Sequence, residues 1–239
     1  MTGARVVTAA PDADPRLVVE ALRLPPVNGV VVLNGGAEDL PPDVGSRVQA
    51  LLRDGLVRVA VEDALLIVTG GTDTGIFRLL GEVMPTGLPR PPLVGVAPAG
   101  LVRVPGRPAA EADAIPLEPH HTGFVLVESW EWGAETPLML ALVEELSRAS
   151  PTVAVLASGG PVARLELDGH VRAGRPVVVL SGSGRLADEV AEAMRRPEAH
   201  ADLARVLTAG RLLEFDLDRE PSDLASLIRR ELGGHPEAG

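Results

Sequence analysis

Four segments of the chain join glycines to hydroxyl or amide side chains: Asn34-Gly35-Gly36, Thr69-Gly70-Gly71-Thr72-Asp73-Thr74-Gly75, Ser158-Gly159-Gly160 and Ser181-Gly182-Ser183-Gly184-Arg185. Each follows a short apolar run and precedes residues at helical spacing. Glycine lets the main chain come close to a ligand, and a helix beginning there aims free N–H groups and roughly half a positive charge outward. That combination suits phosphate or pyrophosphate. A single glycine turn after a strand is ordinarily turn chemistry, but four in equivalent positions point to a shared rim. The segment 69–75 is the richest, because Thr72 and Thr74 add donors for phosphate oxygens. It matches neither G-x-G-x-x-G nor the Walker A loop, which argues against a standard NAD enzyme and a P-loop NTPase. Arg185 stands at a helix start, where a positive charge opposes the macrodipole, so a ligand is a better reason for it than the helix.

Cleavage of a glycosidic bond needs an acid or anion beside the anomeric carbon. Asp73, Glu135 and Glu189 are the candidates for that work. Each has a plainer reading. Asp73 suits the cap of a helix beginning near Gly75, Glu135 suits the start of the helix after it, and Glu189 with Asp188 falls on a solvated helix face. Trp132, in Trp132-Gly133-Ala134-Glu135, has the plain reading of covering a loop edge. His120 and His121 stand together with no cysteine nearby, so no metal site is expected. Neither a G-x-S-x-G elbow nor a defensible Ser-His-Asp order occurs.

The elements that must position these turns follow from hydrophobic spacing. Apolar runs over 29–33, 64–68, 93–97, 124–127, 152–157, 176–180 and 212–217 read as strands. Amphipathic stretches over 44–60, 75–83, 137–149, 165–173, from about 186, and 222–232 read as helices, the last with Ser222 as N-cap. The alternation predicts an α/β fold: a Rossmann-like, doubly wound, mostly parallel sheet with helices on both faces. In such a sheet all four glycine turns lie at the carboxyl edge, where open α/β folds bind ligands. A Pro/Gly-rich stretch over 98–119 is longer than an ordinary connection and is read as a lid or irregular cover. One domain over 1–239 is expected.

Composition narrows the classes further. All 22 basic residues are arginines, cysteine and tyrosine are absent, and the net charge is −11. Disulfides, thiolate metal sites, cysteine nucleophiles and Schiff-base lysines are therefore excluded. The acidic balance argues against nucleic-acid binding. No apolar run approaches the ~20 residues of a membrane helix, so no membrane insertion and a cytoplasmic location are expected.

Taken together, the segments VVVLNGGAEDL, TGGTDTGIFRLLGE, VGVAPAG, HHTGFVLVESWEWGAE, ASGGP and RPVVVLSGSGRLADEVAE resemble the SLOG superfamily. Within it the likeness is to the N-terminal domain of melastatin-type transient receptor potential (TRPM) channels and its free-standing prokaryotic relatives, the LSDAT group. It covers 27–194, with the strand and helix over 211–232 as a C-terminal addition. The resemblance implies a nucleotide-derived ligand, ADP-ribose in some channels of the family and cyclic ADP-ribose isomers in related bacterial defence proteins. It also implies roles: Gly70, Gly71, Thr72 and Thr74 cradling phosphate, Arg185 pairing with a diphosphate, and Trp132 stacking on adenine. A second phosphate-binding arginine of the family, seven residues after the stacking aromatic, is Met139 here, and Asp73 places an acid inside the phosphate turn.

The expected protein is thus a binding or sensing domain for an ADP-ribose-like or NAD-derived nucleotide, with no certain cofactor besides that ligand. The expected contact set is Gly35, Gly36, Gly70, Gly71, Thr72, Asp73, Thr74, Gly75, Trp132, Gly133, Glu135, Gly159, Gly160, Gly182, Ser183, Gly184 and Arg185. A homo-oligomer, built through the helices near 137–149 and 222–232, and a separately encoded effector are the expected partners. The alternative is a phosphoribohydrolase-type enzyme. SLOG relatives of that kind use a P-G-G-x-G-T-x-x-E turn, and 181–189 aligned to it lacks the Pro, the Thr and a clear register for Glu189.

Overall fold

A computed structural model describes residues 3–104 and 113–233. Eight parallel strands form one sheet in the order β1-β7-β4-β3-β2-β8-β9-β10. In chain order they are β1 (Arg5–Ala9), β2 (Gly29–Gly35), β3 (Leu65–Thr69), β4 (Leu93–Pro98), then after the two-residue pair β5 (Val102–Arg103) and β6 (Ile115–Pro116), β7 (Gly123–Val127), β8 (Thr152–Ala157), β9 (Val177–Ser181) and β10 (Leu212–Asp216). The central strands β2, β3, β4, β7, β8 and β9 are buried on both faces, which is why they read as continuous Val/Ile/Leu runs.

The helices are α1 (Pro15–Leu22), α2 (Pro42–Leu51), α3 (Arg58–Glu62), α4 (Gly75–Val83), α5 (Thr136–Ser147), α6 (Pro161–Arg172), α7 (Arg185–Arg195), α8 (Ala204–Ala209) and α9 (Pro221–Glu231). One apolar layer joins α1, α5, α6, α7 and α8 to one face of the sheet. A second joins α2, α3, α4 and α9 to the other. The doubly wound reading is therefore what the chain adopts.

Five readings change. The helix expected over 44–60 is α2 and α3 joined by a π-helical segment, Leu52–Val57, on which α9 packs. Helix α6 starts at Pro161, a turn before the spacing suggested, because Pro is well placed in a first helical turn. Ser222 is not a cap: Glu220 holds the N-cap position of α9, and Ser222 lies inside the helix. Strand β1 and helix α1 had no place in the sequence reading. Arg5–Ala9 form an edge strand against β7, and because most of its residues are exposed or half-buried they give no continuous apolar run. The stretch read as a loop over 98–119 holds β5 and β6, and its residues 105–112 lie outside the described ones.

From β2 the chain proceeds outward through β3 to β4, whereas after α5 it returns to β8, on the other side of β2, and winds outward through β9 to β10. The carboxyl ends of β2 and β8 therefore flank a topological switch point, where a crevice opens because the flanking connections leave in opposite directions.

Candidate functional site

At that switch point the structure has a cavity of about 250 Å³. Of the expected contact residues, it is lined by Gly35 and Gly36 after β2, Gly70 and Thr72 after β3, Trp132 and Glu135 before α5, Gly160 after β8, and Arg185 after β9. All four glycine turns thus contribute. Phe77, Ile115 and Val162 give it apolar walls, while Glu38 and Glu166 add two carboxyls.

Hydrogen bonds knit the turns together. Ile76 N–H donates to Gly36 O (3.1 Å), tying α4 to the β2 turn. Ser183 Oγ accepts from Ser158 N–H (2.8 Å) and donates to Leu180 O (2.5 Å), joining the β8 and β9 turns. Ala187 N–H donates to Ser158 O (3.0 Å). Two residues here, Ser158 (φ 56°) and Arg185 (φ 52°), hold left-handed backbone conformations despite carrying side chains. Such strain is kept only where the surroundings over-determine it, and it gathers at functional sites.

Arg185 leans across the cavity mouth. Its Nη1 lies 3.0 Å from Glu38 Oε1. A Cβ on Gly160 would stand 3.2 Å from its Nη2, so bare backbone lets the guanidinium lie over that turn. Helix α6 starts here without a side-chain cap, and since Pro161 has no N–H and Arg164 N–H donates to Gly160 O, the amides of Val162 and Ala163 are the ones left open to an acceptor.

The carboxyls sit opposite. Glu166, on α6, is buried and accepts a hydrogen bond from Asn34 Nδ2 (2.8 Å) at the end of β2. Burial raises its carboxyl to about 8; the Asn34 bond opposes that rise and the nearby Glu135 charge adds to it. Glu166 is therefore neutral near pH 7 and holds an O–H donor. Glu135 is also buried, and its carboxyl is raised by burial even though it accepts from Gly133 N–H (2.8 Å).

Under the Thr69-Gly70-Gly71 turn lies a second network. Glu118, buried, accepts from His120 N–H (3.0 Å) and pairs with His120 Nδ1 (2.6 Å) and His121 Nδ1 (2.7 Å). His121 Nε2 meets Thr69 Oγ1 (2.8 Å), which accepts from Gly71 N–H (2.9 Å). Burial would raise the Glu118 carboxyl, yet the bonds from His121 and His120 outweigh it and hold it below its ordinary range. The two histidines thus serve the turn. Among the described residues no group of three His, Cys, Asp or Glu side chains is placed to hold a metal ion.

The remaining expected residues lie elsewhere. Asp73 neither lines the cavity nor caps α4: Arg78 Nε reaches its carboxylate (3.3 Å), and Arg78 Nη2 its carbonyl (2.6 Å). Thr74 Oγ1 meets Thr72 Oγ1 at 2.9 Å rather than facing the cavity. Gly71, Gly75, Gly133, Gly159, Gly182, Ser183 and Gly184 shape the turns without lining it. Glu189 is exposed on α7, away from the cavity, which removes it as a candidate acid. Its neighbour Asp188 is more than a solvated face, since it accepts from Gly182 N–H (2.6 Å).

Glu166 and Asn34 were missed. The signal for Glu166 was present: in P-G-G-x-G-T-x-x-E the acid follows the second glycine by six positions, and Glu166 so follows Gly160. The likeness stops at that spacing, since 158–166 lacks the Pro, the third Gly and the Thr of the motif.

Comparison with known proteins fits this geometry. The profile of the family described as "SLOG in TRPM, prokaryote" matches residues 28–226. The chain belongs to that family. Among related proteins, transient receptor potential cation channel subfamily M member 2 of Mus musculus is 25% identical over 214 residues, covering 75% of this chain and 14% of the channel. Subfamily M member 7 of Rattus norvegicus is 26% identical over 237 residues, covering 84% of this chain and 12% of the channel. The SLOG domain thus spans about one-seventh or less of these relatives, and the described residues contain no helix long and apolar enough to cross a membrane.

Proposed function

We propose that this SLOG domain binds a nucleotide derivative of the ADP-ribose or NAD-derived class in the cavity between β2 and β8. The observation that carries the reading is the convergence of four glycine turns, one arginine and an uncapped helix start on a single cavity. In this reading phosphate lies between Arg185 and the amides of α6, sugar hydroxyls lie against Glu135 and Glu166, and the base lies on Trp132. Arg185 gives up Glu38 when the phosphate enters. The test is titration calorimetry and thermal shift with ADP-ribose, cyclic ADP-ribose, NAD and AMP. A ligand at a hundred times its Kd adds about 2.7 kcal/mol of stability, and Arg185→Ala removes most of that gain. Silence from the whole panel defeats the proposal.

A second reading draws support from Glu166 alone. A neutral carboxyl beside an ionisable one is the arrangement that hydrolysis of an N-glycosidic bond needs. Glu166 gives its proton to the leaving base, Glu135 takes one from water, and the hydroxyl adds at the anomeric carbon. Base release from AMP, lost in Glu166→Gln while binding persists, identifies this activity; binding without turnover leaves the domain a sensor.

A further inference from the structure

At the opposite edge of the sheet, where the strands begin, lies a second cavity of about 270 Å³. Arg5 opens β1, Arg23 ends α1, and Arg90 comes two residues before Pro92, at the foot of β4; all three line it, beside Thr122 and Gly123. No acidic side chain lines it. Among the described residues, none of these three guanidinium groups makes an ion pair or a hydrogen bond. Arg78, Arg164, Arg175 and Arg229 reach carboxylates, whereas the other unpaired arginines among the described residues, Arg53, Arg58, Arg103, Arg172 and Arg205, are exposed to water; Arg90 is half-buried.

Three uncompensated cations around one cavity are unexpected in a chain of net charge −11, because acidic groups are plentiful and repulsion among the three disfavours their gathering. Arg90 Nε is shielded from solvent and lacks a partner, the condition that a buried donor normally avoids. Arg23 holds φ 50° at the end of α1. The helix dipole accounts for a cation there, but not for Arg5 or Arg90.

We propose that this cavity is an anion site, distinct from the one between β2 and β8, for a compact polyanion carrying more than one phosphoryl group. Guanidinium forks match phosphate oxygens in pairs, and three of them suit a ligand with several negative charges. The inference does not rest on the nucleotide reading of the other edge.

The test is calorimetric titration of the full chain with inorganic pyrophosphate at about physiological salt. Saturable binding is expected, weakened about tenfold or more in Arg90→Ala and in the pair Arg5→Ala/Arg23→Ala. It is unchanged in Arg53→Ala/Arg58→Ala, exposed arginines outside the cavity. Should Arg90→Ala fail to fold, the Arg5/Arg23 pair decides. Absence of binding, or binding lost in Arg185→Ala instead, overturns the proposal. So does a poly-glutamate peptide that binds through Arg90 where pyrophosphate does not, since the occupant would then be an acidic peptide.

Discussion

At the scale of single residues, the glycine turns were legible because their chemistry is local: a strand ends, the chain turns, and the residue types declare it. Arg185 was legible for a related reason, as a charge in a position the helix disfavours. Glu166 was not, because its helical spacing resembles that of any solvated acid and its hydrogen-bond partner, Asn34, is 132 positions away in sequence. That burial has a consequence for stability. The folded-state carboxyl, near 8, lies above its ordinary 4.5. Below the ordinary value both states are protonated and burial carries no ionisation penalty. As pH rises through the interval the unfolded chain releases the proton and the folded one does not, so stability falls by up to ~1.4 kcal/mol per pH unit. Above about 8 the loss is complete. Glu166→Gln keeps an acceptor for Asn34 without the titration. Denaturant midpoints should therefore differ little from wild type at pH 4.5 and favour the variant by pH 8; curves that run parallel would remove the assignment of a neutral Glu166.

At the scale of elements, α4 lies over 75–83 as its spacing indicated, and the stretch over 98–119, read as a lid or irregular cover, includes a strap over the 69–75 turn whose particular contacts did not show in the sequence. Its contacts are main-chain ones that carry no residue signature: Thr72 bridges Leu117, Asp73 N–H donates to Pro116 O (2.8 Å), and Glu118 N–H donates to Gly71 O (3.0 Å). The Pro/Gly content and length of 98–119 marked it as a lid or irregular cover without saying which turn it covers. What seats the strap is Glu118, whose carboxylate packs against Gly81 of α4, where an added Cβ would overlap it. This sets up a test in which two effects have opposite sign. Helix propensity alone makes Gly81→Ala stabilising by ~1 kcal/mol. Displacement of a buried carboxylate that holds two histidines makes it destabilising by ~1–3 kcal/mol. The second effect should win, lowering the urea midpoint and weakening any ligand that depends on the 69–72 turn. A stabilised Gly81→Ala would show that the strap is loosely seated.

At the scale of the whole molecule, parallel direction and seven of the eight strands of the sheet followed from the rhythm of apolar runs, whereas strand order did not, since no local pattern says on which side of β2 a later strand returns. The likeness to the TRPM N-terminal domain as read from motifs ended at 194, and 211–232 stood as an addition. In the sheet it is no appendage. Strand β10 pairs with β9 along all five of its residues, and Phe215 is fully buried. Helix α9 seats Leu224, Ala225, Leu227 and Ile228 in the layer that α2, α3 and α4 share, and Pro221 O approaches the place where Gly55 has no side chain. Without this unit, the π-helical segment and one face of β8 and β9 would lie open to water. A chain ending at Arg211 should therefore lose its cooperative calorimetric transition, and the milder Leu224→Ala should cost ~2–5 kcal/mol in chemical denaturation. Since β9 also carries the turn with Arg185, nucleotide binding should fall in the truncated chain together with folding, while Leu224→Ala, remote from the cavity, should bind with unchanged affinity where it remains folded. A truncated chain that melts sharply and binds like the whole would make the C-terminal strand and helix a dispensable extension and return the boundary of the domain to the end of α7.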